Sequence, residues 1–83
     1  MRIHFELYAS LMHYLPANAD RHRVTLDVPD GITPHQVLDR FGVPRKDAKL
    51  IVLNGVFVAG SERDSAQLRE DDVLAVWPPV AGG

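Results

Sequence analysis

The groups in this chain that could do chemistry are few, and their spacing excludes most reactions. There is no cysteine, so disulfides, thiolate zinc sites, iron–sulfur clusters and cysteine nucleophiles are all excluded. Ser10, Ser61 and Ser65 lack the strand-to-helix elbow that exposes a nucleophilic serine. His4, His13, His22 and His35 stand apart, none with a second histidine four residues on, so no metal site is expected. The run Glu70-Asp71-Asp72 has the charge to attract a hard cation. Its place ahead of an apolar segment reads instead as a solvated turn. No glycine-rich phosphate loop is present, since Asn54-Gly55 reads as a hairpin turn. What remains is the end of the chain. A closing glycine pair, Gly82-Gly83, arises by chance in about one chain in two hundred at a glycine usage of ~7%. Neither residue has a Cβ, so the pair can thread a narrow channel in conformations other residues reach only at a cost. The terminal carboxylate then becomes the one reactive group on an inert domain. Pro78-Pro79 stiffens its projection, and Trp77 and Val80 bracket the exit with apolar anchors. The alternative is a frayed tail.

Composition narrows the setting. With 83 residues the chain is one domain that buries only roughly 60–65% of its unfolded surface. It has no room for a deep active site beside its core, and no enzyme site of its own is expected. The net charge is −2 and no basic run occurs, which argues against nucleic acid or an anionic membrane as the main partner. No apolar run approaches the ~18–20 residues of a membrane span. The opening Met1-Arg2-Ile3-His4-Phe5-Glu6 alternates and has no apolar signal-peptide region. A cytoplasmic protein is expected.

The elements that must position the tail follow from hydrophobic periodicity. Arg2 to Tyr8 alternates, with Ile3, Phe5 and Leu7 on one face and Arg2, His4, Glu6 and Tyr8 on the other, which predicts a half-buried strand. Ala9 to Leu15 reads as a short helical turn. Arg23 to Val28 alternates again, and its distance from the first strand suits a long hairpin. Pro29-Asp30-Gly31 is a turn. Thr33, Pro34 and Gln36 form a capping box with proline at the first helical position. Val37, Leu38 and Phe41 make the apolar stripe of the one real helix, and Gly42 suits its left-handed end. Leu50 to Leu53 and Val56 to Val58 flank Asn54-Gly55 as a hairpin. Asp64 to Leu68 reads as a turn of helix anchored by Leu68. Val73 to Trp77 is the last strand, stopped by Pro78-Pro79.

The order β-β-α-β-β-β, with one helix covering one face of a mixed sheet of about five strands, predicts an α+β β-grasp, or ubiquitin-like, fold over 1–77. A tail over 78–83 follows. Leu50–Leu53 and Val73–Trp77 do not alternate. Register from the Asn54-Gly55 turn sends Ile51, Leu53, Leu74 and Val76 inward. Leu50, Val52, Val73, Ala75 and Trp77 then face out as one apolar patch, the mark of a protein interface.

The stretch from Leu68 through Trp77-Pro78-Pro79-Val80-Ala81-Gly82-Gly83 resembles the end of the MoaD/ThiS sulfur-carrier proteins. Val52-Leu53-Asn54-Gly55-Val56-Phe57-Val58 is similar to their central hairpin, and Phe5-Glu6-Leu7-Tyr8-Ala9 to their first strand and its exit. Pro-Pro-Val-Ala-Gly-Gly resembles the small subunit of molybdopterin synthase more than the thiamine carrier. The resemblance implies a carrier, not an enzyme. A MoeB-like, E1-like enzyme would use ATP to adenylate Gly83. A persulfide sulfur would displace AMP to leave a thiocarboxylate. The tail would then enter a MoaE-like large subunit and give its sulfur to a pterin. Gly82 would let the tip approach the nucleotide. Trp77, Pro78, Pro79, Val80 and Ala81 would guide the tail, and Leu50, Val52, Phe57 and Ala75 would line the partner surface. No cofactor bound by the chain itself is implied. A carrier for thiamine or another pathway, and a ubiquitin-like modifier or interaction module, are the alternatives.

Overall fold

A computed structural model of the protein describes residues 1–79. Val80, Ala81, Gly82 and Gly83 lie outside the described residues, and so does most of the expected tail 78–83. The strands are β1 (Arg2–Leu7), β2 (Arg23–Asp27), β3 (Leu50–Leu53), β4 (Val56–Phe57) and β5 (Val73–Trp77), and the helix is α1 (Pro34–Arg40). They form one five-stranded sheet in the order β2-β1-β5-β3-β4. The β1–β5 pair is parallel, and the β1–β2, β3–β5 and β3–β4 pairs are antiparallel. This is the expected β-grasp arrangement.

Alternation decides which face is buried. Ile3, Phe5 and Leu7 of β1, Ile51 of β3, and Leu74 and Val76 of β5 are sealed from solvent against Val37 and Leu38 of α1. The rings of Phe5 and Phe41 stack at 5.3 Å. The helix begins where its cap dictates. The Thr33 hydroxyl accepts from the Gln36 amide at 3.3 Å, and the Thr33 amide donates to Oε1 of Gln36 at 3.0 Å. It ends at Phe41, and Gly42 turns left-handed with φ +69°, a conformation glycine adopts without Cβ strain. At the β3–β4 hairpin both Asn54 (φ +50°) and Gly55 (φ +83°) are left-handed, as a primed two-residue turn demands.

Three expected boundaries move. The helical turn expected at Asp64 to Leu68 lies earlier, at Gly60–Glu62. Leu68 instead lies outside any helix: its amide donates to Ile32 O at 2.9 Å while its buried side chain anchors the core. The return strand ends at Phe57, since Val58 turns inward and is buried. Tyr8 falls just beyond β1, where the chain bends through Ala9 at φ +52°.

The acidic turn is consumed by the fold. Asp71 accepts from Arg2 Nε at 2.8 Å. Asp72 accepts from Asn54 Nδ2 at 2.9 Å and from the Arg69 amide at 2.7 Å. Among the described residues no cluster of histidine and carboxylate side chains could hold a metal ion, and no helix is long and apolar enough to cross a membrane. Arg63, which carried no signal in the sequence, ties the far side together. Its guanidinium donates to Ala48 O at 2.8 Å and Lys49 O at 3.0 Å, where the chain enters β3. Truncating it leaves the partly buried Ala48 carbonyl without this partner and the exposed Lys49 carbonyl to water. Arg63→Ala is expected to lower unfolding free energy by about 1–3 kcal/mol, measured by urea denaturation; a change near zero would show that water replaces the guanidinium.

Candidate functional site: the root of the C-terminal tail

The last strand lies inside the sheet, between β1 and β3, so the tail leaves from the middle of an edge and not from a corner. Leu50 pairs with Trp77, and the Lys49 amide donates to Trp77 O at 3.0 Å. The Tyr8 amide donates to Val76 O at 3.1 Å on the other side. Both flanks of the strand end are therefore bonded up to the residue before Pro78. Beside this point lies a groove of about 540 Å³, lined by Ala9, Ser10, Lys49, Leu50, Trp77, Pro78 and Pro79.

The groove brings together four of the residues picked out in the sequence: Leu50, Trp77, Pro78 and Pro79. Val52 and Phe57 are register partners farther along the same outer face, and Phe57 is well exposed. Ala75 is also on that face, but it is only 6% exposed. It sits between Glu6 of β1 and Val52 of β3, and its short side chain is shadowed by both. It offers the face flatness more than contact area. Val73, Val52 and Trp77 are half-buried, so the expected patch is narrower than its residue list, concentrated on Leu50 and Phe57. Val56, the most exposed large apolar residue, pairs with Leu53 and so sits on the helix side, where α1 does not reach it. Val80, Ala81, Gly82 and Gly83 are outside the described residues.

The sequence reading missed the support beneath Trp77. The indole stacks on the Tyr8 ring at 4.4 Å with planes 2° apart. The Tyr8 ring also stacks on His22 at 4.8 Å. The Tyr8 hydroxyl donates to Oε1 of Glu6 at 2.7 Å, and Oε2 of Glu6 lies 3.4 Å from Nη1 of Arg23. The pairing of Glu6 with Tyr8 was available from strand periodicity, two residues apart on one face. The stack on Trp77 was not, because only the parallel β1–β5 register brings residues 8 and 77 together.

The phenol is pushed up to about 12, first by its hydrogen bond to Glu6, then by burial and by the Glu6 charge, with Arg23 opposing. The fold thus favours the neutral phenol. Its stabilising contribution is complete below the ordinary value of 10 and is lost as pH rises from there through about 12. Urea unfolding of the native chain and Tyr8→Phe across that range is expected to show the native advantage shrinking with rising pH. Parallel curves would deny the Tyr8–Glu6 bond.

The chain is similar in sequence and in fold to known proteins. Residues 11–83 match the sequence profile of the ThiS family. A protein of Drosophila sechellia named molybdopterin synthase sulfur carrier subunit is 35% identical over 69 residues, covering 78% of this chain and 77% of its own. Among solved structures, SAMP1 from Haloferax volcanii superposes with a TM-score of 0.70 at 24% identity over the whole of both chains. A chain in the complex of subunits 1 and 2 of the molybdopterin-converting factor from Helicobacter pylori gives 0.59 at 16% identity, again over both whole chains. At these identities the two structures establish the shared ubiquitin-like fold.

Proposed function

The chain belongs to the ThiS family, and from that premise we propose that it is a sulfur carrier of the molybdopterin synthase small-subunit type, working through the carboxylate of Gly83. The observation that carries the reading is the way the sheet ends. An interior strand, bonded on both sides, delivers the chain to Pro78-Pro79 beside an apolar groove. The name of the fly relative supports the same reading.

The chemistry follows from what a carboxylate lacks. It is a poor acyl donor, because its leaving group would be oxide. The Gly83 carboxylate oxygen attacks the α-phosphorus of ATP, pyrophosphate leaves, and an acyl adenylate forms on an E1-like, MoeB-like enzyme. The terminal sulfur of a persulfide attacks the acyl carbon and expels AMP. A second thiol then cleaves the sulfur–sulfur bond, leaving the thiocarboxylate and a disulfide. The thiocarboxylate is a nucleophile in its turn, and within a MoaE-like large subunit it delivers sulfur to a pterin precursor. The chain supplies the tail and its aim, and the partners supply the catalytic side chains. Gly82 keeps the approach to the nucleotide free of a Cβ. The matching Helicobacter chain comes from a complex of subunits 1 and 2 of a molybdopterin-converting factor, which supports a large-subunit partner; Leu50, Val52, Phe57 and the groove are the surface on which it would dock. ATP use sets the reaction in the cytoplasm.

Intact mass spectrometry tests the reading directly. Incubation with an adenylating enzyme, ATP and a persulfide donor is expected to exchange one oxygen of the chain for sulfur. Deletion of Gly83 should abolish the exchange while urea unfolding stays unchanged. A ladder of lysine conjugates, or an unaltered mass for the native chain, sinks the carrier reading. Trp77→Ala is expected to weaken large-subunit binding by about tenfold or more, the ~1.4 kcal/mol or greater of an aromatic interface anchor, in isothermal titration. Equal affinity would remove the tail root from the interface.

A further inference from the structure

We propose that Tyr8 is a positioning residue for the tail: held by Glu6 and His22, it fixes the indole of Trp77 and so sets the direction in which Pro78-Pro79 carry the chain end. The inference rests on the carrier reading and deepens it.

Tyr8 is restrained by four contacts. Its amide donates to Val76 O at 3.1 Å, its hydroxyl donates to Glu6 at 2.7 Å, and its ring stacks on both Trp77 and His22. Glu6 is itself buried on the outer face and faces Arg23. The phenol is thus anchored at its polar tip before it meets the indole. Trp77 is the last residue of β5 and its carbonyl is taken by the Lys49 amide. Its side-chain plane and its backbone are therefore both specified at the residue where the two prolines begin. Proline fixes its own φ near −65° and restricts the residue before it to extended conformations. With Trp77 clamped, little freedom remains between the sheet and Pro79.

A tail that must enter a narrow channel binds only from its correctly aimed conformers, and apparent affinity falls by the fraction so aimed. A stack that aims the tail should therefore act on the KM for the carrier and leave kcat alone. A stack that only stabilises the domain should move neither once the protein is folded.

The test uses the full chain. Trp77 is the only tryptophan, so time-resolved indole anisotropy reads the clamp without any partner. In the native chain the indole is expected to tumble with the domain. Tyr8→Leu should add a sub-nanosecond component. Tyr8→Phe, which keeps the stack, should restore rigidity. In adenylation assays followed by pyrophosphate release, Tyr8→Leu should raise the KM for the carrier about tenfold with kcat unchanged, as a loss of aimed conformers requires, and Tyr8→Phe should recover most of it. His22→Ala, which removes the outer support without touching the core, should loosen the indole and raise KM to a lesser degree, and it serves if Tyr8→Leu does not fold. A rigid indole in both Tyr8→Leu and His22→Ala overturns the proposal. So does a loosened indole with native KM, and in that case the carrier reading stands. A native chain that no adenylating enzyme accepts overturns the carrier reading, and the proposal with it.

Discussion

Everything at the functional end depends on the parallel pairing of β1 with β5. Hydrogen bonds such as that from the Tyr8 amide to Val76 O join strands whose residues are almost the whole chain apart in sequence. Closing so long a loop costs entropy, and no local contact refunds it. The cost is met by the apolar faces of the two strands: Ile3, Phe5, Leu7, Leu74 and Val76 all enter one core under a single helix. Once that core forms, the exit of β1 and the end of β5 are neighbours. The tail root, the groove and the aromatic stack are consequences of that adjacency.

The same economy explains why one face of the sheet carries no helix. A chain of this size has one helix to spend, and α1 covers one side. On the other side each residue shows how the exposed face is managed. Glu6 is drawn under Tyr8 and toward Arg23, and Ala75 keeps the centre flat. Leu50 and Phe57 are left open to solvent. Polar contacts hold the part near β1, while the apolar surface lies toward β3 and β4.

The acidic turn and Arg63 show how polar groups serve the fold here. Asp72 binds the Arg69 amide within its own turn and Asn54 across to the β3–β4 hairpin. Arg63 occupies carbonyls where the chain enters β3. Residues that looked free to bind a cation or to sit in solvent are spent on loop geometry.

The elements were legible in the sequence because each is written in a local rule: alternation for β1 and β2, the Thr33–Gln36 box for α1, Asn54-Gly55 for the hairpin, and a proline pair for the end of β5. The inward set Ile51, Leu53, Leu74 and Val76 was legible for the same reason, since a strand's period of two allows only two choices. The boundaries near Val58 and Leu68 were not: Leu68 is held by a backbone bond to the distant Ile32, and Val58, though bonded back to Ile51 across the hairpin, leaves the strand where it turns into the core. The burial of Ala75 and the stack of Trp77 on Tyr8 and His22 belong wholly to the tertiary structure. Both arise where β1 meets β5, and cross-strand register over a long loop is set by packing of the finished core, which no local stretch of sequence encodes.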